Sequence, residues 1–255
     1  MPRKIQRYGW KPDLPDPRDL TYSGPLHIQQ ELPPSVDLRS KCPPVYDQGQ
    51  LGSCTANAIA AAIEFDLIKQ GKKDFVPSRL FIYYNERVME GTVSADAGGH
   101  LRDGIKSVAQ IGACPEKDWP YNIKQFAKKP PQKPAFADAG ACKAASYQSI
   151  AQNTLQMKTC LASGFPFVFG FVCYDSFESE QVAKTGVLNM PAQGEGQVGG
   201  HAVTAVGYNE KQQRFTIRNS WGDTWGQKGY FTIPYSYLVD PSYSSDFWTI
   251  RAVTE

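Results

Sequence analysis

Residues 53–71 read SCTANAIAAAIEFDLIKQG. Ala56, Ile59, Ala60, Ile63 and Leu67 recur at helical spacing, Ser53 stands where an N-cap is wanted, and Gly71 where a helix stops. The alanine content predicts a buried, closely packed helix, and Cys54 opens it. A helix N-terminus lowers a thiol pKa through its macrodipole and unpaired N–H groups, and the thiolate is the nucleophilic form of cysteine. The preceding QGQLGS (48–53) is turn-like and can aim backbone N–H groups near Cys54 into a cleft. Taken alone, a cysteine there is better read as a small buried hydrophobe.

To either side the texture changes. Residues 1–31 carry Pro2, Pro12, Pro15, Pro17 and Pro25, which exclude a long helix and predict an extended arm. LPPSVDLRSKCPPVYDQG (32–49) is again irregular, with a short strand at Val36–Leu38. Downstream, PSRLFIYYNERV (77–88) and LRDGIKSVAQI (101–111) predict two further helices, the first with proline in its opening turn. KQFAKKPPQKPAFADAGACKA (124–144) reads as a surface connection between halves. Beyond it FPFVFGFVCY, HAVTAVGY, RFTIRNSW and GYFTI are aromatic and β-branched segments bounded by turn residues. A helical first half facing a strand-rich second half predicts an α+β fold with a cleft between them.

The chain holds only three histidines (27, 100, 201), so any imidazole chemistry has three candidates. HAVTAVGYNEKQQRFTIRNSW (201–221) reads as a β-hairpin turning near Glu210, which places Asn219 opposite or diagonal to His201. An amide oxygen accepting the imidazole N–H fixes the tautomer and aims the other ring nitrogen at a thiol. Gly199 and Gly200 leave open backbone beside His201 that a substrate can approach.

Composition removes other classes. In 255 residues, 27 basic against 25 acidic side chains give net +2, neither a nucleic-acid footprint nor a membrane-surface bias. No apolar run approaches the roughly 18 residues of a membrane helix, and the first 15 residues do not read as a secretory signal. Six cysteines without a CxxC pair make neither a dense disulfide framework nor a zinc site. No cofactor or metal is expected. With Cys54 spent on chemistry five thiols remain, at most two bridges and a spare.

QGQLGSCTANA, GGHAVTAVGY and NSWGDTWGQKGY, in that order, resemble the signature blocks of the papain family of cysteine peptidases. VDLR (36–39), DAGGHL (96–101) and DWPY (118–121) extend the likeness over about residues 32–250, and the short proline-rich N-terminus is similar to that of bacterial members. The resemblance implies a two-lobed fold: a helical N-terminal lobe (about 42–140), an antiparallel β-barrel-like C-terminal lobe (about 141–250 plus 32–41), and the active-site cleft between them. It implies Cys54 as nucleophile, His201 as its imidazolium partner, Asn219 as the group orienting His201, and Gln48 as an oxyanion donor beside the Cys54 N–H. Trp221 would cover the His201–Asn219 bond and border the substrate. Gly99 would pair with peptide backbone, and Leu101, Gly200 and Ala202 would line an apolar pocket for the second residue N-terminal to the cut, its floor lying somewhere in PSYSSDFW (241–248). His27 and His100 would be noncatalytic.

The chain departs from the family at two positions: Leu51 stands where members usually have a disulfide-forming cysteine, and Thr55 where they have tryptophan. The arm is expected to lie extended over or beside the cleft, anchored by Tyr8 and Trp10, restricting access as in a zymogen. A monomer acting on peptide or protein substrates is expected. The competing readings are an acyl transferase with the same Cys–His core, disfavoured by asparagine at 219, and a peptide-binding relative without activity, disfavoured because all four catalytic positions are intact. Members are often exported or lysosomal, whereas this chain shows no leader.

Overall fold

The computed structural model describes residues 7–254; the first six residues of the arm and Glu255 lie outside the described residues. After a short helix in the arm, α1 (Leu26–Gln30), comes α2 (Cys54–Lys69), in which every residue from Cys54 to Leu67 is buried. Alanine has the highest helix propensity, and its single methyl lets neighbours close in from all sides. α2 accordingly touches α3 (Arg79–Met89), α4 (Leu101–Gln110) and strands of the sheet. Gly71 at φ +63° ends it in the left-handed conformation that glycine tolerates best. Ser53 does not act as the expected side-chain cap: its hydroxyl is engaged by the Tyr121 hydroxyl (2.5 Å) and Asn57 Nδ2 (3.1 Å). In α3 the cap is Ser78, whose oxygen accepts from Phe81 N at 3.1 Å.

The second half contributes β2 (Ala144–Ser149), β3 (Phe167–Tyr174), β4 (Gln197–Asn209), β5 (Arg214–Arg218), β6 (Tyr230–Pro234) and β7 (Ser244–Val253). They pair antiparallel in the order β2-β7-β3-β4-β5-β6, and β1 (Ser35–Asp37) returns from the first half to pair with β4. The sheet is open along this path, its two end strands covered by other segments rather than joined to each other. The arm bonds to β2 through Ser149 N to Leu20 O (2.8 Å) and Tyr22 N to Ser149 O (2.7 Å). On β6, Thr232 exchanges bonds with Gly186 and Leu188. Satisfied edges need no closure.

Helices α5 (Ala137–Ala139), α6 (Thr154–Ala162), α7 (Glu180–Thr185) and α8 (Tyr235–Val239) complete the chain. A phenylalanine-rich cluster fills the sheet half, and a second cluster joins α2, α3 and α4 to Val168, Ala202 and Trp248 of the sheet. Segment 124–144 is not merely a surface connection. Ala135 and Ala139 are fully buried with Phe81 and Cys114, and Phe136 meets Phe81 at 4.9 Å between centroids.

All six cysteines are unbridged. Next to Leu51, where the family resemblance has a disulfide, a carboxylate makes the tie instead. Asp96 accepts from Gly52 N with both oxygens (3.1 Å each) and from the Tyr83 hydroxyl at 2.5 Å, and that hydroxyl accepts from Gly98 N at 3.1 Å. The turn before α2 is thereby fastened to the loop before α4. Charge-assisted bonds of this kind are each worth about 1.5–3 kcal/mol. Asp96→Ala is expected to lower unfolding free energy by roughly 2–3 kcal/mol in urea denaturation, and Asp96→Asn, which keeps an acceptor, by less.

Candidate active site

Cys54 is fully buried at the start of α2, with the backbone N–H groups of Ala202, Gly9 and Thr55 bearing on its sulfur. Burial pushes its thiol up to about 12, and the three N–H groups pull the other way. Ala202 belongs to β4, so Cys54 of the helical half lies directly against the strand that carries His201.

His201 sits opposite Phe171 of β3, and its Nε2 is 2.8 Å from Asn219 Oδ1. The hairpin register differs from simple symmetry about Glu210. A bulge between Ala205 and Gly207 sets Thr204 opposite Arg218, so Asn219, just past β5, reaches His201 diagonally. Trp221 lies on the imidazole at 5.2 Å between centroids, tilted by 35°, with Phe171, Phe177 and Tyr8 around it at 5.9–6.0 Å. Trp221 also meets Phe177 and Trp225 at 4.9 and 5.1 Å between centroids.

Gln48 is buried, and Ser220 fixes it twice: Gln48 N donates to Ser220 O (2.9 Å), and the Ser220 hydroxyl donates to Gln48 Oε1 (2.6 Å). With the oxygen so held, Nε2 faces the turn before α2, donating to Leu51 O at 3.0 Å. Asn219 and Ser220 therefore fasten His201 and Gln48 from consecutive positions. Ser220 stands inside the NSWG block, where nothing in the sequence marks it as a clamp on Gln48.

The other sequence-derived positions gather around the arm. Gly99 N donates to Gly9 O (2.7 Å), Lys11 N to Gly99 O (3.1 Å), and Trp10 N to Gly200 O (3.0 Å). Gly9 is threaded so tightly that a Cβ there would lie 1.8 Å from Gly52 O. The Trp10 indole lies on Gly170 and Gly200, where added Cβ atoms would meet its ring at 1.8 and 2.6 Å, and Leu101 and Ala202 share its buried cluster. At the far end Trp10 Nε1 donates to Asp246 Oδ2 at 2.9 Å, as does Asp13 N at 2.8 Å. Asp246, at φ +61°, thus closes the far end of the space that Trp10 fills, and it lies within PSYSSDFW (241–248). The remaining histidines lie elsewhere: His27 in α1, and His100 before α4 with Nδ1 3.7 Å from Asp13 Oδ1. Among the described residues no group of three or more His, Cys, Asp or Glu is placed to hold a metal ion.

The model of the papain family of cysteine proteases matches residues 32–238. An uncharacterized peptidase C1-like protein of Acanthamoeba polyphaga mimivirus is 48% identical over 82% of this chain and 70% of its own length. Cathepsin K of Mus musculus is 31% identical over 78% of the chain, a match that takes up 59% of its own length. The crystal structure of xylellain, a cysteine protease from Xylella fastidiosa, superposes with a TM-score of 0.90 at 42% identity, covering 99% of this chain and 98% of that one. The order of the motifs, the opposition of helix and sheet across Cys54 and these similarities agree: the chain belongs to the papain family of cysteine peptidases.

Proposed function

We propose that the chain hydrolyses peptide bonds through Cys54 and His201 and that residues 7–31 hold it shut until displaced. The observation carrying the chemistry is the buried meeting of the α2 start with β4, where His201 is held by Asn219. The thiolate attacks the scissile carbonyl carbon, and the oxyanion is stabilised by the Cys54 N–H and Gln48 Nε2. The His201 imidazolium then gives its proton to the leaving amine as the C–N bond breaks. Water attacks the resulting thioester, His201 takes its proton, and the acid leaves with Cys54 restored. Cys54→Ala is expected to abolish hydrolysis of a fluorogenic peptide. Gln48→Ala is expected to lower kcat by about 10²–10³, the effect of removing one oxyanion donor. Hydrolysis surviving Cys54→Ala would overturn the mechanism.

The pocket holding Trp10 takes the second residue N-terminal to the cut. Its walls are apolar and its floor is a carboxylate, which favours large side chains with a donor at the tip over purely aliphatic ones. A substrate runs N to C from Gly99 toward Cys54. The arm runs the other way, with Gly9 at Cys54 and Lys11 at Gly99, so it fills the groove without offering a bond in cleavable polarity. It also buries the thiol, and burial keeps Cys54 protonated and unreactive; exposure to water and the helix N-terminus favours the thiolate. Gly9→Ala collides with Gly52 and is expected to unseat the arm, raising both peptide hydrolysis and the rate of Cys54 alkylation by iodoacetamide. Unchanged rates would exclude a blocking arm.

Docking also depends on pH. Burial, followed by the neighbouring Asp246, pushes the Asp13 carboxyl up to about 7, against the pull of Arg102 and the Trp248 indole; His100 also faces it. In a released arm Asp13 titrates near the ordinary value of about 4. The docked form therefore takes up a proton. Its advantage is complete below about pH 4 and is lost as pH rises through about 7. The alkylation rate of the unmodified chain, divided by that of Gly9→Ala to cancel thiol ionisation, is expected to rise between about pH 5 and 8. Asp13→Asn is expected to flatten that rise.

A further inference from the structure

We infer that Glu90 selects a basic residue, lysine or arginine, at the third position N-terminal to the cut. The inference rests on the proposed peptidase reading, in which a peptide runs along the Gly98–Gly99 edge. Glu90 ends α3 and points at that edge: its Oε1 accepts from His100 N at 2.8 Å, which fixes the carboxylate and turns Oε2 toward the groove. There Oε2 receives Lys11 Nζ at 3.1 Å. The Glu90 side chain is only 7% exposed beneath this lysine.

Lys11 is one step beyond Trp10 as measured from Cys54. In a peptide whose second residue fills the Trp10 pocket, the third residue occupies that same step, although its chain direction is opposite. The neighbouring carboxyls do not relieve Glu90. Glu86 lies behind it, fully buried, and Asp103 beside it; in both, burial and then the charge of Glu90 raise the pKa. When the arm leaves, Lys11 leaves with it, and Glu90 keeps its bond from His100 N but loses the cation at Oε2. A peptide that brings its own cation to this step restores the pair; an acidic residue there adds repulsion.

The test uses the full chain carrying Gly9→Ala and three fluorogenic peptides, X-Phe-Ala, with X as Lys, norleucine or Glu. Each protein is judged by its own ratio of kcat/KM between peptides, so that changes in overall activity cancel. The expected Lys-to-norleucine ratio is about tenfold at low salt, with Glu the poorest, as for a charge-assisted bond at a partly solvated site. Adding Glu90→Gln is expected to bring the ratio to about one. A ratio near one in the Glu90 protein, or an unchanged ratio after Glu90→Gln, overturns the inference while leaving the peptidase reading standing. Failure of a folded protein to cleave any of the three overturns that reading and the inference with it. Should Glu90→Gln not fold, the Glu90 protein alone decides. Its lysine preference is expected to shrink as salt rises from about 20 to 500 mM through screening of the pair, and a salt-independent ratio counts against Glu90.

Discussion

The close approach of α2 to β4 governs everything else in the molecule. It is possible because α2 presents Ala58 and Ala61 to β4, and β4 presents glycine and alanine at 200 and 202. Small side chains on both surfaces bring a helix start and a strand backbone close enough for the Ala202 N–H to bear on the Cys54 sulfur. Thr204 reaches across to Ala58 O at 3.4 Å farther along the same seam. Larger residues would separate the two halves and, with them, Cys54 from His201.

The same smallness shapes the groove. Gly170 and Gly200 make a flat bed that a tryptophan ring fills, and Gly9 and Gly98 let the arm backbone pass where no Cβ fits. The arm uses three different interactions in sequence: backbone pairing at Gly99 and Gly200, ring burial at Trp10, and charge pairing at Lys11 and Arg102. Tyr8 adds a hydrogen bond to Glu178 at 2.7 Å beside the imidazole. Because these contacts are spread over a dozen residues, no single one has to be strong for the segment to stay seated.

Local chemistry made much of this legible. The alanine periodicity of 53–71, the helix-opening cysteine and the Gly-Gly-His block each stand within a few consecutive residues, and each describes its own surroundings. The diagonal His201–Asn219 contact was readable from the hairpin, though not its bulge, which arises from how β4 pairs with β1, β3 and β5 along its length. Asp246, Asp96 and Glu90 were not legible, because each acts on residues far away in the chain: Trp10, Gly52 and Lys11. An isolated acidic residue carries no sign of which backbone amide or cation it will meet. What covers the sheet edges was hidden for the same reason, since those segments are remote in sequence.

The Asp96 tie has a consequence for the conditions in which the cleft keeps its shape. A cysteine nucleophile requires reducing surroundings, and a disulfide beside it is weakened by the very reductants that keep the nucleophile alive. A carboxylate holding Gly52 N and the Tyr83 hydroxyl is indifferent to redox potential. With all six thiols unbridged, the geometry of the groove and the reactivity of Cys54 are uncoupled from each other's redox demands. Strongly reducing conditions leave both intact.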